Sequence, residues 1–197
     1  VARGPDGRIW AGANNGLSVL EDGRFRQVVA GTDLPHPNAY TLLPERDALW
    51  IGTRRGVALL RDDQLETPEV LAPMRSAQIN GIVRDRRGVL WFPTTDGLFR
   101  LENERLTRYG QAQGLKDVRV RQVRELRDGR FLVASQAGLF LLEEGKLREI
   151  GLDAGLPPEL DVTATFELPG GEWVIGTLSE RLYLFDGKRW QLFGEEQ

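Results

Sequence analysis

An eight-residue stretch returns five times along this chain, and its period excludes most folds before any other residue is considered. In its fullest form it reads Leu49-Trp50-Ile51-Gly52-Thr53-Arg54-Arg55-Gly56. Worn copies occupy residues 9–16, 90–97, 131–138 and 173–180. The second residue of each copy stands at position 10, 50, 91, 132 or 174, so the steps are 40, 41, 41 and 42 residues. A fixed period of that size marks an array of one supersecondary unit, which buries its apolar faces only by stacking on its neighbours.

The surroundings of each copy say what the unit is. A turn precedes it, as at Pro5-Asp6-Gly7 and Arg127-Asp128-Gly129, where Asp and Gly tolerate the positive φ of a tight hairpin. The aromatic strand follows, then a second turn that closes on Gly16, Gly56, Gly97 or Gly138. An alternating apolar strand comes next, then an acidic turn such as Glu21-Asp22-Gly23 or Glu143-Glu144-Gly145, then a short outer strand. One more strand leads into each unit, over residues 39–43, 79–84, 118–126 and 162–168, while the first unit keeps only Val1-Ala2-Arg3 of it. Four short antiparallel strands per unit make the blade of a β-propeller. The expected fold is therefore all-β: one domain over residues 1–197, with four-stranded blades at about 1–29, 38–67, 79–109, 118–150 and 161–193. The ring is either closed with five blades or part of a larger propeller. Val120, Val123 and Leu126, spaced by three, would alone suit a helix, but the repeat register places a strand there. Within the repeated stretch, Trp10, Trp50, Trp91 and Trp173 are expected to fill the wedge between blades. The glycine two residues on admits neighbouring backbone, and the hydroxyls of Thr53, Thr94 and Thr177 bond the turn that follows.

Composition narrows the function. The net charge of −3 gives no pull toward nucleic acid or an anionic membrane surface. Among the 26 basic residues only Lys116, Lys146 and Lys188 are lysines, which reads as coding bias. With no cysteine there is neither a disulfide framework nor a thiolate metal site. No apolar run reaches the ~18 residues of a membrane span. A start at Val1 without a signal peptide reads as a piece of a longer protein.

The unit resembles the two-component regulator propeller repeat, whose signature runs from an aspartate and a turn glycine through Trp-Ile-Gly-Thr and two variable residues to Gly-Leu. Residues 49–57 follow it closely, with Val57 in place of the last leucine. Residues 9–17 and 90–98 depart at single alanines or prolines, Leu132 replaces the Trp in the fourth copy, and the fifth loses its closing glycine to Glu180. Gly114-Leu115 and Gly155-Leu156 in the long connections also fit. The resemblance covers nearly the whole chain. It implies a periplasmic sensor domain ahead of a membrane span and an output module: a histidine kinase, a hybrid kinase or a diguanylate cyclase.

On a propeller, specificity is expected on the face made by the long inter-blade connections and the turns between second and third strands. The candidates there are Asn14, Asn15, His36, Asn38, Arg54, Arg55, Asn80, Asp96, Arg119, Gln136 and Asp161. They differ from blade to blade on a repeating frame, as a recognition surface does, although loops are polar in any protein. The Arg54-Arg55 pair suits an anionic or sugar-acid ligand. His36, the one histidine, sits between Pro35 and Pro37 without a metal-ligating neighbour, and Asp62-Asp63 and Glu143-Glu144 fall in outer turns. No nucleophile with a base and no phosphate loop is legible, so no catalytic residue, metal or cofactor is expected. The expected ligand is a small molecule, a glycan or a protein partner, with no nucleic acid and no membrane contact by this segment; a dimeric parent is left open. The alternatives are a propeller-scaffold enzyme, such as a polysaccharide or macrolactone lyase, and a structural interaction scaffold. Trp50→Ala should lower stability by roughly 3–5 kcal/mol, as emptying a large aromatic site does. Arg54→Ala should stay within about 0.5 kcal/mol. Equal shifts of the denaturation midpoint would contradict this division between frame and surface.

Overall fold

A computed structural model of the chain describes residues 1–179 and 181–194, so the loss of the turn glycine at Glu180 lies outside the described residues. Every described strand belongs to one of five antiparallel four-stranded sheets, each with its strands in chain order. The first holds β1 (Ala2–Arg3), β2 (Ile9–Ala13), β3 (Gly16–Glu21) and β4 (Arg24–Ala30). The second holds β5 (Ala39–Pro44), β6 (Leu49–Thr53), β7 (Val57–Arg61) and β8 (Gln64–Glu66). The third holds β9 (Val83–Arg84), β10 (Leu90–Thr94), β11 (Gly97–Glu102) and β12 (Arg105–Tyr109). The fourth holds β13 (Val120–Glu125), β14 (Phe131–Ser135), β15 (Gly138–Glu143) and β16 (Lys146–Ile150). The fifth holds β17 (Val162–Glu167), β18 (Trp173–Thr177), β19 (Leu182–Phe185) and β20 (Trp190–Leu192). The chain divides into two compact units: residues 1–96 with 100–107, and residues 97–99 with the chain from Arg108 on.

Two expectations about local structure are corrected. The leading strand of the third sheet does not run from Ile79. It is reduced to Val83–Arg84, with one isolated bridge from Ile79 to Thr94. Gly81 and Pro93 meet in the gap, and a proline in the facing strand has no N–H to donate to a ladder. Three of the four connections, expected as surface loops, carry a short 3₁₀ turn, at Glu69–Met74, Gln111–Gln113 and Leu152–Ala154. The last two end on Gly114 and Gly155 with φ of 111° and 101°, after which Leu115 and Leu156 turn inward and are buried. A side chain at Gly114 would stand 2.1 Å from the carbonyl oxygen of Leu147, so the position admits only glycine. This accounts for the Gly-Leu pairs of the long connections.

The outer hairpins explain the paired carboxylates. Asp62 and Asp63, at φ 48° and 59°, are the two central residues between Arg61 and Gln64, and Asn103 and Glu104 repeat the geometry at 48° and 60°. Two left-handed residues in succession make the type I′ turn whose twist matches its strands. These carboxylates serve turns.

Stacking within each unit follows the repeat. In the first unit Trp10 lies in a cluster with Leu17, Val19, Ala39, Leu49, Ile51 and Ala58, which joins the first and second sheets. Trp50 meets Phe92 of the third sheet edge-on, with ring centroids 6.3 Å apart at 71°. In the second unit Leu132 and Ala134 take the places of the aromatic and the glycine, and pack with Val162, Ile175, Tyr183 and Trp190 of the fifth sheet. Trp10, Trp50 and Trp91 are thus buried frame residues, as expected. Trp173 is only half-buried: its register matches Leu49, Val174 holds the aromatic position, and the indole stacks along Phe185, which stacks in turn on Trp190.

The glycine of the repeat is required by close approach. A Cβ at Gly12 would stand 2.6 Å from the carbonyl oxygen of Ala39, and one at Gly52 only 2.7 Å from Cγ2 of Ile79. At Gly176, in the same register, the nearest atom is 3.6 Å away. Gly52→Ala should therefore cost about 1–3 kcal/mol by overpacking. Gly176→Ala should change stability by less than about 0.5 kcal/mol. Chemical denaturation of the two variants checks the contrast, and equal losses would show that the glycine is kept for another reason.

Candidate binding face

In four sheets a hydroxyl at the end of the second strand holds the turn into the third. Thr53, buried, donates its hydroxyl to the carbonyl of Gly56 at 2.9 Å and accepts the N–H of Arg55 at 3.1 Å. Thr94 Oγ1 accepts the N–H of Asp96. Ser135 repeats the pattern with Gly138 and Ala137, and Thr177 with Arg181. The hydroxyl satisfies backbone groups that a tight turn would otherwise leave open. Ala13 holds the position in the first sheet and has no hydroxyl.

A backbone bond then ties each turn to the connection that leads into the same sheet. The N–H of Arg54 donates to the carbonyl of Asn38, that of Thr95 to Gln78, that of Gln136 to Arg119 and that of Leu178 to Asp161, at 3.3, 3.1, 3.0 and 2.9 Å. Connection and turn therefore lie side by side in each of these sheets, which brings Asn38 to Arg54 and Arg119 to Gln136. Asn80 joins its turn through Gln78, whose side chain donates to Asn80 Oδ1 at 2.9 Å and whose N–H donates to Thr95 Oγ1. His36 accepts the N–H of Asn38 on Nδ1, 3.1 Å away, which makes it a loop-shaping residue. Asn14 and Asn15 are exposed on the β2–β3 turn, where the Asn15 carbonyl receives Gly31 N–H and the Gln27 side chain.

The charged candidates differ in how far they are committed. Arg119 grips Asp117 with two nitrogens at 2.9 and 2.6 Å. Asp161 is held by two nitrogens of Arg121, at 3.2 and 2.8 Å, across adjacent sheets of the second unit. Arg54 and Arg55 are exposed, and among the described residues neither guanidinium has an ion-pair partner. Gln78 and Arg121 were missed from sequence. The signal for Arg121 was available: it stands 40 residues before Asp161, one repeat length, as facing residues of neighbouring blades must.

The hollows lie elsewhere. One of ≈ 290 Å³ in the first unit is rimmed by Asp6, Arg8, Trp10, Glu45, Asp47 and Asp63, on the side of the first-to-second-strand turns. A neighbouring hollow of ≈ 410 Å³ shares Arg8, Trp10, Leu60 and Asp63 with it. None of the candidate residues lines either. At the mouth Asp6 binds Arg8, whose side chain holds its carboxyl below the ordinary aspartate range.

No family model and no curated protein matches this sequence. Among solved structures the chain is similar to the extracellular domain of BT4673 from B. thetaiotaomicron, assigned in two structures to a one component and to a hybrid two component system. In the first of these the identity is 20%, the TM-score 0.81, and the match covers 96% of this chain and 26% of that one. It is also similar to the extracellular domain of BT3049 from the same organism, assigned to a hybrid two component system, with 17% identity, a TM-score of 0.74, and 93% and 26% covered. Virginiamycin B lyase from Staphylococcus aureus matches at 14% identity and a TM-score of 0.70, with 98% of this chain and 68% of the lyase covered. At these identities the likeness shows the fold, sheets of β-propeller type, and the chain spans about a quarter of the length of the two B. thetaiotaomicron domains.

The Arg119–Asp117 pair makes the connection sensitive to acid. The hydrogen bonds from the Arg119 side chain lower the Asp117 carboxyl from its ordinary value of 3.8, against a smaller opposing effect of burial. The unfolded chain then binds a proton near pH 3.8 that the folded chain does not, so this stability is present above that pH and lost as pH falls through the folded value. Denaturation midpoints measured from about pH 5 down to about pH 2 should fall less steeply for Asp117→Asn than for the parent. Parallel curves would remove Asp117 from the acid response.

Proposed function

We propose that this chain is a non-catalytic binding segment of an extracytoplasmic sensor domain in a bacterial signalling protein whose output is a histidine kinase, a hybrid kinase or a diguanylate cyclase. The observation that carries the reading is the contrast at one position of the repeat. A hydroxyl on Thr53, Thr94, Ser135 or Thr177 bonds backbone within each of four turns, while the tips read Arg54-Arg55, Thr95-Asp96, Gln136-Ala137 and Leu178-Ser179. A constant frame with changing tips is how recognition surfaces are made. The resemblance to extracellular domains of two-component proteins supports the same reading. The five sheets are then blades of one propeller domain, in the periplasm, and a ligand contacts the tips and the connections beside them. Arg54 and Arg55 favour an anionic group, since unpaired guanidiniums offer bidentate donors without first breaking an ion pair. A ligand acts on output only through its differential affinity for two arrangements of the full protein.

The test is charge reversal scored by output of the full-length protein. Arg54→Glu with Arg55→Glu should abolish the response while leaving the denaturation midpoint within about 0.5 kcal/mol of the parent. Asp47→Arg, on the opposite turns, should leave the response intact. Loss of response from Asp47→Arg alone would move the site to the hollow beside Trp10.

The likeness to virginiamycin B lyase favours a second reading, a lyase on the same scaffold. One solved form of that enzyme is a catalytically inactive His-to-Ala variant. Here the one histidine is His36, whose Nδ1 already receives the Asn38 N–H. Turnover of a streptogramin by this chain, lost in His36→Ala, would replace the sensor reading.

A further inference from the structure

Trp10, Trp50 and Trp91 all lie in the first unit, and the first of them lacks a partner that the other two have. Trp50 Nε1 donates to Glu45 Oε2 at 3.2 Å, and Trp91 Nε1 donates to Asp85 Oδ2 at 2.9 Å. Glu45 and Asp85 each open the turn before the aromatic strand, and their backbone N–H groups close it. In the first sheet the residue in that place is Gly4, whose N–H reaches the Arg8 carbonyl. Asp6 takes over the backbone half of the duty: its Oδ1 accepts the Arg8 N–H at 3.0 Å, as Asp85 Oδ1 accepts that of Val89. Its other oxygen binds the Arg8 side chain and leaves the indole alone.

The Trp10 N–H therefore has no hydrogen-bond partner among the described residues. Trp10 is only 8% exposed, yet no described side-chain nitrogen or oxygen is both sealed from solvent and unbonded, so this N–H meets open space. The open space that Trp10 borders is the pair of adjoining hollows of ≈ 290 and ≈ 410 Å³, and Gly4 lines the first where a carboxylate would otherwise stand. The Arg8 guanidinium sits over the ring, 5.1 Å from its centroid, and the apolar cluster of the first two sheets packs around it. A ligand meets this indole at its edge, as a hydrogen-bond acceptor, and not by stacking.

The rest of the lining sets the charge. Around the first hollow stand five carboxylates, on Asp6, Glu45, Asp47, Asp62 and Asp63, against the two arginines Arg8 and Arg46. Asp6 is engaged by Arg8, and Glu45 by Trp50 and Arg84. Asp47, Asp62 and Asp63 make no ion pair among the described residues. Carboxylates left uncompensated in a hollow concentrate cations there. A buried donor without a partner calls for an oxygen. The volume is at the small end for a ligand site, which suits a molecule of a few heavy atoms.

The geometry points to a binding site for a small amino alcohol between the first and second sheets, its hydroxyl oxygen accepting the Trp10 N–H and its ammonium group held by Asp47 and Asp63. The ligand supplies to Trp10 the oxygen that Glu45 and Asp85 supply to Trp50 and Trp91 from within the chain. The site is separate from the turn tips, so its success or failure leaves the reading of those tips unchanged.

Binding is read on the indole N–H resonances of the isotope-labelled chain, which has five tryptophans; Trp10→Phe identifies the one in question. The probes are serinol, an ammonium group between two hydroxymethyl arms, isopropylamine, which lacks the hydroxyls, and glycerol, which has a hydroxyl in place of the ammonium. Serinol should shift the Trp10 resonance saturably and bind at least about tenfold more tightly than either control. Asp47→Asn with Asp63→Asn should weaken serinol at least about tenfold, and asparagine accepts the left-handed backbone of residue 63. Gly4→Asp should restore the missing carboxylate, since only the end of the Asp6 side chain stands in its way. In that variant the Trp10 resonance should move without any ligand and no longer respond to serinol. The remaining indole resonances, unmoved, report an intact fold in each variant. A Trp10 resonance that serinol leaves in place overturns the proposal. So do equal affinities for serinol and either control, undiminished binding in the double Asn variant, and a serinol response that survives Gly4→Asp.

Discussion

A missing Cβ in the middle of the second strand sets the spacing of this fold. Two twisted sheets pack at about 10 Å when both carry ordinary side chains. At Gly12 and Gly52 the chain of the next sheet comes closer, until Ala39 and Ile79 occupy the space a side chain would need. The large residue two positions earlier then spans the part of the wedge that stays wide, as Trp50 does over Phe92. Small and large at a separation of two fall on one face of a strand, so three residues encode the taper between neighbours. The fourth sheet reaches a similar result with Leu132 and Ala134, which shows that the taper is the requirement and the Trp-x-Gly pair one solution to it.

Variation at the turn tips is confined by the same economy of bonds. The Thr or Ser after the small residue closes its turn with its own hydroxyl, and the next N–H reaches the incoming connection. These bonds use backbone or a buried oxygen, so the side chains of Arg54, Gln136 and Leu178 are not needed to hold their tips, whereas the hydroxyls of Thr95 and Ser179 take part in theirs. Arg54, Gln136 and Leu178 can therefore differ in charge and size without altering the frame beneath them. The charges that are engaged, Arg119 with Asp117 and Arg121 with Asp161, stiffen the connections. The more exposed of the two, Arg119 with Asp117, contributes little to global stability.

Much of this was legible in the sequence because the repeat supplies several readings of every position. The strand order, the outer turns and the burial of Trp10, Trp50 and Trp91 follow from it directly. Trp173 misled because an aromatic one place early looks like the same residue worn by drift, although the repeat count already set Val174 at the second position, as its pairing with Leu184 bears out. The shortening of β9 depends on Pro93 facing Gly81, a contact between strands that no local pattern announces. The 3₁₀ turns escaped notice because three to six residues carry no period, although the Gly-Leu pairs that end two of them were visible. Of the candidate site, the placement beside the turns could be read, since it follows from strand order. Which charges would be neutralised was legible only in part: the 40-residue spacing of Arg121 and Asp161 carried a signal, but their contact shows only once the two sheets are laid together.

The outer strands have a further consequence, for how the molecule behaves in a crowded solution. An unpaired strand edge invites pairing with another chain. Here β8 and β20 are three residues long, which leaves little ladder to extend. The longer edges carry cations along their length, Arg24 and Arg26 on β4 and Lys146 and Arg148 on β16. The hairpins beside them carry Asp22 and Glu144. Two such edges brought together in register would set like charges opposite one another. A repeat protein is otherwise unusually exposed to self-association, because every copy of its unit is a template for the others, and the charged rim keeps the array from recruiting its own kind sideways.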